Sequence, residues 1–266
     1  MVFKALLIDV DGTAVDCEPR NRSVIEDIAR NAGFDIQPHH WDFFAGTSHE
    51  TIWGHLSGDV ENFTEGTPEF KKAYPTAEHF EKACEAGYKS RAHDIQANPA
   101  VIEIVHDFLA NGKPVVAVSN TNTDIIKSAL ESTGYPVGEF IDAIGKDRVI
   151  KAEKRPKPAP DPYYYGLEKL NKAIKNGSPN LQIAPQDCLV LEDSKTGLRA
   201  ALEFGATVIQ ITDYSIPPDS DIMDLTNMFN ARYAGCKSEE LLELYQGLCA
   251  LLSRQKQPGI RPSNAL

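Results

Sequence analysis

One short stretch decides how this chain folds: Leu7-Ile8-Asp9-Val10-Asp11-Gly12-Thr13. An apolar run from Phe3 precedes it, so the pattern predicts a buried strand that ends in two carboxylates and then turns at a glycine. Carboxylates at the end of a buried strand are costly unless their charge is compensated, and a divalent cation such as Mg²⁺ suits such oxygens. The simpler interpretation is an Asp-Gly turn whose aspartates bond only to loop backbone.

Bulk properties exclude several classes of protein. The chain has 266 residues, of which 42% are hydrophobic and 24% charged, as is typical of a globular domain with room for a smaller insertion. A net charge of −11 without a basic stripe argues against a nucleic-acid partner. No apolar run is long enough for a membrane span, and the N-terminal one is too short for a secretory signal. The five widely spaced cysteines form no CxxC pair, which favours a cytoplasmic location.

Further apolar runs predict a parallel sheet. They lie at 114–118, 141–144, 188–191 and 206–211, and helical patterns follow those at 114–118 and 188–191. Buried strands that alternate with helices indicate an α/β fold with both faces of the sheet covered. Such sheets bind ligands at the carboxyl ends of their strands, which is where this chain places its polar clusters.

The region 17–96 contains no buried-strand pattern. It predicts helices at 22–32, 50–56 and 68–91, and we therefore expect a helical cap inserted after the first strand. The core would comprise 1–16 and 97–255, with a last helix from about residue 238. The segment 256–266 is expected to be a disordered tail.

Three polar clusters accompany Asp9 and Asp11 at predicted strand ends or helix starts, and they suit a phosphate ester. The Ser119 hydroxyl and the Asn120 backbone N–H can hold phosphate oxygens at a helix start, and Lys157 supplies a cation.

The carboxylates suit the chemical steps. Asp9 and Asp193, with Glu192 beside it, would hold Mg²⁺. Asp9 could attack phosphorus, and Asp11 could protonate the leaving oxygen and then activate water. Each cluster alone has an ordinary explanation as a helix cap, a surface lysine or a first-turn acid. Their occurrence together, in this order, is specific.

The clusters resemble the four signature motifs of the haloacid dehalogenase-like superfamily, in the branch that contains phosphoglycolate phosphatase and β-phosphoglucomutase. The matching segments are Asp9-Val10-Asp11-Gly12-Thr13, Ser119-Asn120, Lys157-Pro158-Ala159-Pro160 and Glu192-Asp193-Ser194-Lys195-Thr196-Gly197. The resemblance implies a Rossmann-like core, a helical cap, Mg²⁺ dependence and an aspartyl-phosphate intermediate. It makes Asp9 the nucleophile and, with Asp11, Glu192 and Asp193, part of the metal site; Ser119, Asn120 and Lys157 would hold the phosphate.

Differences between this chain and related families narrow the range of reactions that it could catalyse. Dehalogenases lack an acid at the position of Asp11, and phosphonoacetaldehyde hydrolases lack both that acid and the lysine at position 157. The segment 45–50, with Gly46 and His49, resembles the substrate-specificity stretch of this branch. β-Phosphoglucomutases place an arginine that grips a second phosphate where this chain has His49. The absence of this arginine weakens the mutase interpretation but leaves it open. Arg20, Arg22 and Lys89 are candidates to bind the second phosphate in its place.

The sequence therefore predicts a Mg²⁺-dependent phosphatase that hydrolyses a small phosphorylated metabolite, a sugar phosphate or a phospho-acid. A phosphomutase is the nearer alternative, and a non-catalytic protein that binds a phospho-ligand is the more distant one. The expected partner is the small substrate, with no nucleic acid and no membrane, and the expected state is a monomer or a homodimer.

Overall fold

The structure is a computed structural model that describes residues 3–44, 47–59, 66–91, 94–175, 182–213 and 232–255. The strands it contains are β1 (Ala5–Ile8), β2 (Val15–Asp16), β3 (Gln96–Ala97), β4 (Val115–Val118), β5 (Asp142–Ile144), β6 (Cys188–Glu192), β7 (Thr207–Ile211) and β8 (Arg232–Cys236). Six of them form one sheet in the order β5-β4-β1-β6-β7-β8, and every neighbouring pair is parallel. The predicted parallel sheet is confirmed.

The first strand lies inside the sheet because both of its faces are apolar. Leu6 and Ile8 point into one hydrophobic cluster, and Ala5 and Leu7 point into the other. Hydrogen bonding places β1 between β4 and β6. The residues that directly follow these three strands therefore meet at one edge of the sheet, and the predicted polar clusters lie there.

Helices cover both faces of the sheet. The helices are α1 (Glu18–Asn31), α2 (Trp41–Phe44), α3 (His49–Ser57), α4 (Pro68–Ala73), α5 (Ala77–Ser90), α6 (Pro99–Ala110), α7 (Thr123–Ser132), α8 (Lys146–Lys151), α9 (Asp161–Lys175), α10 (Lys195–Phe204) and α11 (Leu241–Gln255). Side chains of α6, α7 and α11 pack on one face. Those of α8, α9 and α10 pack on the other, which gives three layers.

Helices α1 to α5 form a helical insertion between β2 and β3, which pair antiparallel with each other. The insertion has a hydrophobic cluster of its own. Its helices α1 and α5 approach closely at Gly87, where an added Cβ would lie 2.4 Å from Val24 Cγ1. A separate core supports the expected division into a sheet domain (1–16 and 97–255) and a cap (17–96), and this division stays a prediction.

The structure corrects several predicted elements. The segment predicted as one helix over 68–91 is two helices, because the chain breaks at Tyr74-Pro75-Thr76 and the Thr76 side chain caps α5. The first helix begins at Glu18 rather than at residue 22. Strand β8 was not predicted, since an edge strand with exposed Arg232 and Gly235 shows no apolar run. The predicted tail 256–266 lies outside the described residues.

Candidate active site

The loop after β1 brings the opening motif against the loop after β6. Asp9 N–H donates to the carbonyl of Leu191 at 3.0 Å, which continues the sheet pairing to the first carboxylate. Gly12 then adopts φ +84°, a conformation that favours glycine. A Cβ at Gly12 would lie 2.3 Å from Asp193 Oδ2. The glycine is therefore required twice, for the turn and for the close approach of the two motifs.

Lys157 is the centre of the buried polar network. Its Nζ donates to Asp9 Oδ1 at 2.7 Å, to Glu192 Oε1 at 2.5 Å and to the carbonyl of Val118 at 2.8 Å. Lys157 is 5% exposed, Asp9 6% and Glu192 0%. The structure thus brings together residues from three motifs that the sequence separates by up to 183 positions.

Both carboxylate oxygens of Glu192 are saturated by hydrogen bonds. Besides Lys157, the hydroxyl of Tyr163 donates to Oε1 at 2.8 Å. The other oxygen, Oε2, accepts from the backbone N–H groups of Asp193 and Ser194 and from the Ser194 hydroxyl, at 3.1 to 3.3 Å. A carboxylate with this many donors holds its neighbours in place. It is less suited to offering a ligand atom to a metal.

Tyr163 was not identified from the sequence. In Pro160-Asp161-Pro162-Tyr163 it looks like an ordinary apolar residue of a helix, and its ring is completely buried. Its hydroxyl acquires a role only because the fold places α9 beneath Glu192. The place of Tyr163 in the sequence therefore gives no indication of this contact.

The network carries excess negative charge. Burial, Glu192 and Asp193 raise the pKa of Asp9 well above its usual range, and Lys157 only partly opposes them. Burial and Glu192 raise the pKa of Asp193 to about 8, although Thr13 donates a hydrogen bond to it at 3.0 Å. Burial alone would lower the pKa of Lys157, but Asp9 and Glu192 outweigh it and raise the value.

A divalent cation fits this donor set. Single oxygens of Asp9, Glu192 and Asp193 lie within 4.8 Å of one another, and oxygen ligands are those that Mg²⁺ prefers. Within the described part of the chain, Asp9 Oδ2 and Asp193 Oδ2 accept no hydrogen bond. A cation would offset the repulsion that raises both pKa values. Asp9 and Asp193 are therefore the residues best placed to hold a metal.

The two predicted phosphate-binding residues have different partners. The Ser119 hydroxyl donates to Asp11 Oδ2 at 3.1 Å and accepts from Thr121 N–H at 3.0 Å. The Asn120 side chain forms a reciprocal pair with the backbone of Lys157, donating to its carbonyl at 3.0 Å and accepting from its N–H at 3.1 Å. Asn120 N–H has no acceptor among the residues described, so it stays available to a phosphate oxygen.

Side chains of the helical insertion meet the site at Asp11. His49 Nε2 lies 2.8 Å from the Tyr88 hydroxyl, and the Arg20 guanidinium lies over the Tyr88 ring at 5.0 Å from its centroid. Arg20 Nη2 is 4.0 Å from Asp11 Oδ1. Burial and Lys146 lower the pKa of His49. The predicted cap residue Gly46 lies outside the described residues.

Comparison with known proteins agrees with this arrangement. A family model described as haloacid dehalogenase-like hydrolase matches residues 3–205, which contain all four motifs. The chain belongs to this family. As a haloacid dehalogenase-like hydrolase it is an enzyme, and its six-stranded parallel sheet is the Rossmann-like core of the family.

Curated relatives and solved structures align with most of the length of this hydrolase. Hexitol phosphatase A of Escherichia coli K12 is 28% identical over 85% of this chain and 90% of its own length. A probable pseudouridine-5'-phosphatase of Saccharomyces cerevisiae is 24% identical over 79% and 83%. The structure of CbbY from Rhodobacter sphaeroides in complex with phosphate has a TM-score of 0.62 at 21% identity, covering 82% and 90% of the two chains. That structural likeness shows the fold.

Two further observations concern features outside the site. No helix in the described ranges combines the length and apolar character needed to cross a bilayer. All five cysteines carry free thiols.

Proposed function

We propose that this hydrolase is a Mg²⁺-dependent phosphatase of a small phosphorylated metabolite, a sugar phosphate or a phospho-acid. The observation that carries the proposal is the buried contact of Lys157 with both Asp9 and Glu192, beside Asp193 and Asp11. Phosphoryl transfer needs positioning and charge stabilisation more than covalent machinery, and this set provides both. The names of the phosphatase relatives support the same reaction class.

In the proposed cycle, an Asp9 oxygen attacks phosphorus and the bond from phosphorus to the ester oxygen breaks. Asp11 gives its proton to the departing alkoxide, which leaves as an alcohol. Asp11 then takes a proton from water, whose oxygen attacks the aspartyl phosphate and releases inorganic phosphate and free Asp9. The Ser119 hydroxyl, bonded to Asp11, holds this carboxyl in orientation.

Lys157 and the metal would both stabilise negative charge on Asp9 and on the phosphate during the reaction. Lys157 would fix one oxygen of Asp9 and place a positive charge beside the point of attack, while its three donors stay bonded to protein acceptors. A divalent cation held by Asp9 and Asp193 would reduce the repulsion between the nucleophile and the phosphate. Glu192 would hold Lys157 in place without contacting the metal. Asp11 is the remaining member of the metal site that the resemblance implies.

The helical insertion would act as the cap of this enzyme. It faces the site through Arg20, His49 and Tyr88, so closing it over a substrate would exclude water and select the leaving group. His49 would be a substrate contact in its neutral form, because its pKa is lowered. A neutral ring binds a second phosphate only weakly, so His49 would not replace the arginine of the mutases. The cytoplasmic location and the monomeric or dimeric state stay predictions.

The test is a phosphate-release screen over sugar phosphates and phospho-acids with Mg²⁺, in which Asp9→Asn is compared with the unaltered enzyme. We expect at least about a thousandfold loss of kcat in Asp9→Asn, since the nucleophile is gone, with no loss of folding. The matched control is Asp94→Asn, an exposed position, which should leave kcat unchanged.

Three results would contradict the proposal. Near-normal turnover in Asp9→Asn would remove the aspartyl-phosphate step. Isomerisation of glucose 1-phosphate with a bisphosphate primer, without phosphate release, would identify a mutase. Binding of phosphate esters without turnover of any would identify a non-catalytic protein.

A further inference from the structure

Arg20 is a buried cation that, among the described residues, forms one long ion pair, with Asp11 at 4.0 Å. It lies in the first turn of α1 and is only 3% exposed. Its Nε and Nη2 both donate to one neutral acceptor, Asn21 Oδ1, at 3.1 and 2.9 Å. In the described part of the chain, Nη1 donates to no acceptor, and the carboxylate within 4.0 Å is Asp11. Nη1 is not sealed from solvent, so among the described residues this donor stays available to a ligand.

Asp11 does not satisfy this cation. The separation of 4.0 Å between Arg20 Nη2 and Asp11 Oδ1 is too long for a hydrogen bond. Asp11 uses its other oxygen to accept from Ser119. The Tyr88 ring contacts the guanidinium from the side of α5, and the Tyr88 hydroxyl is already bonded to His49. The guanidinium therefore lies between Asp11 and the Tyr88 ring, and Nη1 is the donor left for a ligand.

The distance between Arg20 and Asp11 limits which groups of a bound substrate Arg20 could contact. A catalytic acid must come within about 3 Å of the oxygen that it protonates. The ester oxygen of a bound substrate would then lie at most about 7 Å from Arg20 Nη2. An oxygen about three to five bonds beyond the ester oxygen can reach hydrogen-bond distance of the guanidinium within this span, and oxyanions match its fork of donors.

We propose that Arg20 is a specificity-determining residue that binds a second oxyanion of the substrate, a carboxylate or a phosphate close to the ester oxygen. The inference rests on the proposed phosphatase function and names its substrate class, an anionic phosphate monoester rather than a neutral sugar phosphate. The cations Arg22 and Lys89 are less suited, because each is exposed and already paired, with Glu18 at 2.9 Å and Asp124 at 2.6 Å.

The experiment compares two phosphate esters of nearly equal size, carboxymethyl phosphate and ethyl phosphate, which differ in carrying a carboxylate or a methyl group. A third ester, the bisphosphate of ethane-1,2-diol, distinguishes a phosphate from a carboxylate as the second anion. The variants are Arg20→Met, which replaces the buried cation by an apolar chain, and Arg20→Lys, which keeps the charge. Arg22→Met, on the same helix, is the matched control.

We expect the unaltered enzyme to prefer an anionic ester over ethyl phosphate in kcat/KM. Arg20→Met should reduce this preference about 10- to 100-fold, mainly through KM of the anionic ester, since the lost contact is a charged hydrogen bond that forms before chemistry. An effect of the lost charge on Asp11, or a general structural defect, would lower kcat/KM for all three esters alike, so the preference ratio is the quantity that reports on the proposed contact. Arg20→Lys should retain part of the preference, and Arg22→Met all of it.

Two results would overturn the assignment of Arg20 alone. They are an unaltered enzyme that hydrolyses all three esters equally well, and an equal loss on every ester in Arg20→Met. Failure of the unaltered enzyme to hydrolyse any phosphate ester would instead overturn both this inference and the proposed function.

Discussion

The polar cluster at the sheet edge and the polar contacts of α5 are built differently. At the sheet edge, Lys157 and Glu192 are almost completely buried, and every donor of the lysine has an acceptor. Helix α5 instead reaches the sheet domain through partly exposed pairs. These are Glu81 with Lys146 at 3.0 Å, Lys89 with Asp124 at 2.6 Å and Glu85 with Asn122 at 2.7 Å.

From this difference we expect the sheet edge to be rigid and the contacts of α5 to be movable. Breaking a buried ion pair leaves an uncompensated charge, so the Lys157 network holds one geometry. Exposed pairs contribute about 0 to 1 kcal/mol each and exchange readily with water. The sheet edge is therefore suited to fixing the reacting atoms, whereas the contacts of α5 can form and break as a substrate enters.

The largest effect should come from disturbing the rigid part at Gly12. Gly12→Ala places a Cβ within 2.3 Å of Asp193 Oδ2, so Asp193 must move. We expect kcat to fall at least about a hundredfold, because displacements near 1 Å in an active site have costs of this size. Steady-state kinetics at saturating Mg²⁺ measures it.

Gly33→Ala is the matched control for Gly12→Ala. Gly33 has almost the same φ, +82°, but an added Cβ there meets nothing within 4 Å. Both variants therefore carry the same backbone strain, and only Gly12→Ala should lose activity. Equal activity of the two variants would show that the approach of the two motifs is not critical.

A smaller effect should follow from removing one donor to Glu192. Tyr163→Phe deletes the hydroxyl that bonds to Oε1 at 2.8 Å, which leaves this oxygen to Lys157 alone. We expect a drop of about tenfold in kcat, as is typical when a partner of a site carboxylate is lost, with little change in KM. Tyr164→Phe, an exposed neighbour on the same helix, is the control. A fall in thermal stability with unchanged kcat would assign Tyr163 a structural role only.

The raised pKa values predict how the stability of the metal-free enzyme depends on pH. The folded state holds a proton on Asp193 up to about pH 8, whereas the unfolded chain releases it near 4. The folded state thus binds more protons in this window, so the free energy of unfolding decreases as pH rises from about 5 to 8. Thermal unfolding in a chelator should show Tm falling by several degrees over this range.

Asp193→Asn and Mg²⁺ sharpen this test in different ways. The substitution removes the titrating group, so Tm should depend less on pH. Mg²⁺ should raise Tm more at pH 8 than at pH 5.5, because a cation competes with the proton for the carboxylates. A Tm that rises with pH in the chelated enzyme would contradict the charge balance described for the site.

The smallest effect should come from the movable part. Reversing one charge, in Glu81→Lys or Lys146→Glu, should raise KM about two- to threefold, and the double variant that swaps the charges should restore it. The effect should shrink at high salt, since the pair is partly exposed. Lys82→Ala breaks a pair within α5, with Glu78, and should leave KM unchanged. Failure of the swap to restore KM would show that this contact does not hold the insertion.

The sequence predicts the rigid part far better than the movable one. Asp9, Ser119 and Asp193 could be found because each directly follows an apolar strand, and parallel strands bring these positions to one edge. Lys157 lies between two helices and was identified from its motif, Lys157-Pro158-Ala159-Pro160. The burial of Arg20 could not be found in this way. It depends on how α1 and α5 pack, which apolar periodicity alone does not fix.

Weakly patterned elements were missed for a related reason. Strand β8 is an exposed edge without an apolar run, and β2 and β3 have two residues each. The contact of Tyr163 with Glu192 joins residues 29 positions apart through the stacking of α9 on the sheet. Such features arise from contacts between distant segments, and local composition carries little information about them.

The reciprocal pair between the Asn120 side chain and the Lys157 backbone has a consequence for how such enzymes can be recombined. It joins two loops that lie 37 residues apart, so the backbone that would bind phosphate and the lysine beside it share one alignment. A crossover with a relative anywhere between these loops would pair an asparagine from one parent with a backbone shaped by the other. Functional chimeras of this chain should therefore inherit both loops from the same parent.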